Sequence, residues 1–199
     1  MFRFLCATIM LLMSMTATAK SIVVLGDSIS AGYGIEVSQG WVALLQQNLD
    51  AAGSSYRVHN ASISGDTTAG GLARIDQALS YKPAVLIVEL GANDGLRGLP
   101  PDEIKRNLAD IIRRAQQAGA KVLLLSMKIP PNYGKRYVEL FYAIYPQLAT
   151  ELQVPYVPFI MEDVALSQDM MQLDGLHPNA KGQPVISDKV WQSLLPLLK

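Results

Sequence analysis

Three stretches of the chain are apolar without alternation: residues 22–25 (Ile-Val-Val-Leu), 84–90 (Ala-Val-Leu-Ile-Val-Glu-Leu) and 121–126 (Lys-Val-Leu-Leu-Leu-Ser). Short runs of branched residues bounded by Gly or polar positions suit buried strands, although periodicity alone does not separate a strand from a buried helical turn. Residues 57–61 and 154–159 predict two weaker strands. Between these runs the apolar positions recur at helical spacing. Trp41, Leu44, Leu45 and Leu49 share a face that Gly53 ends, and Leu72, Ile75 and Leu79 share one that Lys82-Pro83 ends. Pro101-Asp102 opens a third helix carrying Ile104, Leu108, Ile111, Ile112 and Ala115, with Gly119 beyond it. Two more helices are predicted over 137–152 and 184–198. Strands that lack alternation are covered on both faces. Strand and helix therefore alternate in a single doubly wound α/β domain, a parallel sheet between two helical layers. No repeat or linker divides it.

Composition adds a compartment and removes partners. Lys+Arg and Asp+Glu number 17 each in 199 residues, so charge gives no reason to expect nucleic acid or an anionic membrane surface. The N-terminus carries one positive charge, a short apolar run and Ala17-Thr18-Ala19, the small-x-small pattern of a secretory signal peptide. Residues 1–19 are expected to be removed, leaving residues 20–199 as the mature domain. The run is too short to span a bilayer comfortably, and polar residues follow it, so stable membrane insertion is not expected. Cleavage also removes Cys6, the only cysteine, and leaves neither a disulfide nor a thiol nucleophile. A periplasmic or secreted protein fits.

Candidate chemistry lies where the predicted strands end. Gly26-Asp27-Ser28 follows the first, at the edge where open parallel sheets bind ligands. Ser28 is a candidate nucleophile, and Asp27 or Ser28 is equally a candidate helix cap. Of the two histidines, His59 lies within a strand and reads as structural. His177 lies in Asp174-Gly-Leu-His-Pro178, where Pro178 keeps it out of helical geometry and Gly175 permits a tight turn. Such a turn lets the Asp174 carboxylate hold one ring nitrogen while the other points away, which is what a general base requires; a surface turn with an incidental ion pair is the alternative. A serine nucleophile needs donors for a developing oxyanion. Gly65 after the second strand, Asn93 after the third and the backbone N–H of Ser28 are candidates, against a plain turn glycine and an Asn-Asp cap.

Taken together, Gly26-Asp-Ser-Ile-Ser30, Gly65, Gly91-Ala-Asn-Asp94 and Asp174-Gly-Leu-His177 resemble the SGNH (GDSL) hydrolases in order, spacing and strand-end placement, over essentially the whole mature chain. Asn60-Ala-Ser-Ile-Ser-Gly-Asp66, Glu89-Leu-Gly-Ala-Asn-Asp-Gly-Leu-Arg-Gly98 and Pro131-Asn-Tyr-Gly134 are similar to exported members that cleave acyl-CoA, lysophospholipids and aryl esters. The resemblance implies a five-stranded flavodoxin-like sheet. It makes Ser28 the nucleophile, His177 the base and Asp174 its orienter, with Ser28, Gly65 and Asn93 as the oxyanion hole. Ile29 stands where the name-giving motif has Leu, a volume-conserving change that bears on acyl fit.

The apolar neighbours of these groups, Ile29, Ile129 and Leu176, are the expected acyl-chain lining. Met127, Tyr133, Tyr145, Met170 and Met171 extend it or belong to core and surface. The glycines at 91, 95 and 98 suggest a closing loop over residues 91–101. No metal or other cofactor is expected, since two distant histidines and no mature cysteine make a poor zinc site. The partner expected is a small-molecule or lipid acyl substrate, met by a monomer. Two alternatives are a carbohydrate O-deacetylase, which would need a small polar acyl pocket, and a catalytically silent binding module, which would be expected to lack a triad member. Neither Gly-x-Ser-x-Gly around Ser28 nor Gly-x-Gly-x-x-Gly after the first strand is present, which disfavours a classical α/β-hydrolase and a dinucleotide-binding oxidoreductase.

Overall fold

The computed structural model describes residues 20–198; the expected signal peptide over 1–19, and Cys6 within it, lie outside the described residues. Five parallel strands, β1 (Ser21–Gly26), β2 (Arg57–Asn60), β3 (Pro83–Glu89), β4 (Lys121–Leu125) and β5 (Tyr156–Val157), form one sheet in the order β2-β1-β3-β4-β5. Ile22 to Leu25 and Val85 to Val88 have no or almost no exposed surface, as strands covered on both faces require.

The helices are α1 (Ser28–Ala31), α2 (Trp41–Ala51), α3 (Thr68–Ala73), α4 (Ile75–Ser80), α5 (Ala92–Leu96), α6 (Pro101–Gln117), α7 (Lys135–Leu152) and α8 (Gln183–Leu194). Helix α2 packs with α8, while α6 packs with both α3 and α7, giving the two outer layers.

Four expectations change in detail. The helix predicted through Leu72, Ile75 and Leu79 is two helices, α3 and α4, joined at Arg74 with φ −111° and ψ 12°. The adjacent Gly70 and Gly71 weaken helix propensity, and the Arg74 guanidinium is anchored off the helix by Asp66, Ala61 O and Gly26 O. On α2, Val42 is buried where Leu44 was expected, and Leu44 is half-buried. The last strand shrinks to Tyr156–Val157 because Pro155 and Pro158 flank it and have no N–H to donate to a ladder. The glycine-rich stretch after β3 is partly helical, as α5.

A capping contact ties the two ends of the described chain together. Gly40 precedes α2 and offers no side-chain cap; instead Trp41 N–H donates to Gln183 Oε1 at 2.9 Å, from the first residue of α8. Gln183 is 1% exposed, so water does not replace it readily. Gln183→Ala should cost about 1–3 kcal/mol, the penalty for a buried donor left without its acceptor. Urea unfolding of the two proteins measures it, and an unchanged midpoint would contradict this role.

Candidate active site

In this strand order the connections from β1 and β3 leave in opposite directions, and the crevice beyond the carboxyl ends of those neighbouring strands is the ligand position of open α/β sheets. Ser28 follows β1 and Asn93 follows β3, so both stand on that crevice. The two readings of Gly26-Asp27-Ser28 turn out to involve different residues. Asp27 caps α1, its Oδ1 accepting from Ile29 N–H at 3.0 Å. Ser28 is left with its hydroxyl half-buried at the helix start.

The turn from Asp174 to His177 is shaped by its own carboxylate. Asp174 Oδ1 accepts from the backbone N–H groups of Leu176 at 2.9 Å and His177 at 3.0 Å, and Gly175 takes φ +67° to allow it. Asp174 Oδ2 lies 2.7 Å from His177 Nδ1, and His177 Nε2 lies 2.8 Å from Ser28 Oγ. A carboxylate on Nδ1 requires a proton there, which leaves Nε2 as the acceptor for the serine hydroxyl. Some desolvation raises the Asp174 carboxyl, but the bonds it accepts from the His177 backbone and ring and from Leu176 outweigh this and lower it to about 2. It is therefore a carboxylate at any working pH. The Tyr33 ring lies 4.6 Å from the imidazole, and Gln172, two residues before Asp174, donates to Tyr33 O at 2.7 Å. The histidine turn is thus pinned to the segment that follows Ser28.

The three oxyanion candidates line the same cavity as Ser28 Oγ and His177. Ser28 N–H, at the first position of α1, has no intrahelical acceptor. Gly65, at φ +81°, donates its N–H to no protein group among the described residues, while its carbonyl accepts from Arg97 at 2.9 Å. Asn93 Nδ2 donates to Asp66 O at 2.9 Å and to Asp27 Oδ2 at 3.1 Å. Both neighbours are acceptors, which fixes the amide with its nitrogen toward them. The longer bond, to Asp27, is the one an incoming oxyanion would share. Next along α5, the buried Asp94 takes two bonds from Thr68, at its N–H (2.9 Å) and hydroxyl (2.5 Å). So α5 is stitched to the Gly65 loop by Asn93, Asp94 and Arg97.

The cavity holds about 530 Å³ and is mainly apolar. Ile29 and Ile129, each 5% exposed, and the half-exposed Leu176 all line it, as do Met127 and Met171. Tyr145 does not extend it: that side chain is buried in the core, with its hydroxyl on Leu90 O at 3.0 Å. Tyr133 and Met170 are not part of its wall either. His59 stacks on Tyr81 at 4.6 Å between ring centres, and neither residue lines the cavity. No cluster of three or more potential metal ligands occurs among the described residues. An oriented serine, an imidazole with its carboxylate, and amides facing the same space are the parts needed for nucleophilic acyl transfer.

Two participants, Arg97 and Glu89, lie in a stretch that carries the resemblance, but nothing in the residue pattern assigns either of them a role. Arg97 looks like a surface arginine, and Glu89 reads as one polar residue inside a strand. Only the register that sets Glu89 beside Gly26 brings it to the site.

Residues 24–185 match the model of the GDSL-like lipase/acylhydrolase family. The chain is 50% identical over 190 residues to the esterase TesA of Pseudomonas aeruginosa, covering 95% of this chain and 94% of that protein. It is 46% identical over 191 residues to thioesterase 1/protease 1/lysophospholipase L1 of Escherichia coli K12, covering 96% and 90% respectively. Among solved structures, the psychrotrophic esterase EstA from Pseudoalteromonas, inhibited by monoethylphosphonate, superposes with a TM-score of 0.86 at 43% identity, over 90% of this chain and 98% of that one.

The geometry around His177 makes a direct prediction. Asn at position 174 would offer the ring a mixed donor and acceptor in place of a fixed carboxylate, so Asp174→Asn should slow phosphonylation of Ser28 by an organophosphonate on the order of 10³- to 10⁴-fold. Labelling rates followed by intact mass measure it; an unchanged rate would remove Asp174 from the chain of bonds.

Proposed function

The chain belongs to the GDSL-like lipase/acylhydrolase (SGNH hydrolase) family, and from that footing we propose that it hydrolyses acyl esters and thioesters through an acyl-enzyme on Ser28. It is a hydrolase. The observation that carries this reading is the bonded chain Ser28–His177–Asp174 at the mouth of an apolar cavity of about 530 Å³.

His177 Nε2 accepts the Ser28 proton as Oγ attacks the acyl carbonyl, and Asp174 stabilises the imidazolium that forms. The N–H groups of Ser28 and Gly65 and the Asn93 amide hold the tetrahedral oxyanion. His177 returns the proton to the departing alcohol or thiol. Water, activated by the same imidazole, then releases the carboxylic acid and restores Ser28. Each oxyanion donor is worth about two to three orders of magnitude in rate. None of these steps calls on a metal or cofactor.

Acyl chains fit the wall that Ile29, Ile129 and Leu176 provide, with Met127 and Met171 beside them. Thioesters, lysophospholipids and aryl esters share the carbonyl that Ser28 would attack and differ in the leaving group. This apolar wall favours an acyl hydrolase over an O-deacetylase. We also read residues 1–19 as a cleaved signal peptide and place the mature domain, residues 20–199, in the periplasm or outside the cell. No helix among the described residues is long and apolar enough to cross a membrane. We propose a monomer, because each part of the site comes from one chain.

Hydrolysis of p-nitrophenyl esters from C2 to C16 by the mature protein tests the substrate class. The expected result is kcat/KM peaking at medium or long chains and loss of activity in Ser28→Ala. A preference for acetate alone would favour the deacetylase.

A further inference from the structure

Beside the nucleophile lies a buried carboxyl pair, Asp27 and Glu89, that takes no direct part in the acyl-transfer steps. Glu89, the last residue of β3, has no exposed surface, and Asp27 is 1% exposed. The two are neighbours across the β1–β3 pairing, whose register sets Glu89 beside Gly26, the residue before Asp27. Glu89 Oε2 accepts from Ser30 Oγ at 2.6 Å and from Asp27 N–H at 3.3 Å. Glu89 Oε1 is buried and meets no donor. By contrast both oxygens of Asp27 accept hydrogen bonds, from Ile29 N–H and Asn93 Nδ2. Two adjacent buried carboxyls do not both ionise. The bonding pattern assigns the charge to Asp27 and the proton to Glu89, since Oε1 is unsatisfied as an anion's oxygen and satisfied as a donor. Burial, and then the neighbouring Asp27 charge, hold the Glu89 carboxyl well above its ordinary value; burial also raises Asp27, to about 6.

We propose that Glu89 is a protonated positioning residue whose O–H bonds the Asp27 carboxylate and thereby sets the Asn93 amide for oxyanion binding. This inference rests on the acyl-hydrolase reading above. Asn93 has committed both amide hydrogens, and the one on Asp27 is to be shared with the oxyanion. When that bond weakens, a buried carboxylate loses part of its solvation, and the Glu89 O–H supplies the replacement donor. Without it, each gain at the oxyanion would be offset by a loss at Asp27. The place is made by sequence at Gly26: a Cβ there would stand 2.7 Å from Ser30 Oγ and 2.8 Å from Glu89 Oε2, so only glycine admits the carboxyl. The other ionisable groups facing the pair are His177 across Asp27, Tyr145 from α7, which also faces Asp94 on α5, and Arg74, whose guanidinium bonds Gly26 O at 3.2 Å. None of the three donates to Glu89 Oε1.

The test compares the mature protein with Glu89→Gln and Glu89→Ala. Glutamine reproduces the protonated acid, with an oxygen for Ser30 and an N–H for Asp27; alanine supplies neither. Glu89→Gln should keep kcat within about tenfold, while Glu89→Ala should lose about 10²-fold in kcat at nearly constant KM, the cost of a misplaced oxyanion donor. Two readouts do not depend on activity. The infrared carbonyl band of a protonated carboxylic acid, present at neutral pH in the wild-type protein, should vanish in Glu89→Gln. The folded protein holds this proton where the unfolded chain, near the ordinary value of 4.5, has released it. Stability contributed by the protonated acid is therefore full below that value and falls as pH rises above it. In Glu89→Gln that loss should be reduced. Wild-type and Glu89→Gln proteins with identical infrared spectra, or a kcat loss in Glu89→Gln as large as in Glu89→Ala, would overturn the proposal. If Glu89→Ala does not fold, the spectra and the Glu89→Gln kinetics still decide it. Absence of ester hydrolysis in the wild-type protein would instead defeat the functional reading, with the infrared and stability results deciding the protonation of Glu89 separately.

Discussion

The contact on which the site depends is the 2.8 Å hydrogen bond between Ser28 Oγ and His177 Nε2, which joins residues 149 positions apart. Neither partner holds the other in place. Ser28 is set by the end of β1 and by the Asp27 cap, and His177 by the carboxylate of its own turn. Gln172, reaching Tyr33 O, brings the two settings together. A bond of this kind contributes little net stability. Its geometry is instead enforced by a buried sheet and by loops tied down at several points, so that orientation is in place before substrate arrives.

The same division of labour explains the polar layer under the crevice. Gly26, Asp27, Ser30, Glu89 and Asn93 lie at the ends of β1 and β3, the two strands that flank the switch point. Burying two carboxyls there is unfavourable unless their oxygens find donors. Ser30, Ile29 and Asn93 serve three of the four oxygens, and the proton proposed for Glu89 serves the fourth and removes the charge repulsion. The Asn93 amide is therefore held by acceptors already in place, a condition under which a few dipoles have large effects on a transition state.

Much of this was legible in sequence because the chemistry follows strand ends. The unbroken apolar runs located β1, β3 and β4, and the residues immediately after them, Ser28 and Asn93, are the ones on the crevice. Asp174 and His177 were legible because the turn is local, three residues apart and shaped by one glycine. What pattern reading missed is non-local. Arg74 breaks a helix for the sake of contacts with Asp66, Ala61 and Gly26, and a window of neighbouring residues contains no trace of that pull. Arg97 and Glu89 act through partners 32 and 62 positions away. Side-chain lining was open in the sequence for a related reason: Met127 and Met171, both outside the helices, face the cavity while Tyr145 on α7 faces the core, a choice made by tertiary placement rather than composition.

The central claim is that Ser28 carries the acyl group. Rapid acid quench of the mature protein during turnover of a p-nitrophenyl ester, followed by peptide mass spectrometry, reads this directly. The account predicts an added acyl mass confined to the peptide bearing Ser28, and none in Ser28→Ala. An acyl group on another residue, or full turnover by Ser28→Ala, would contradict it.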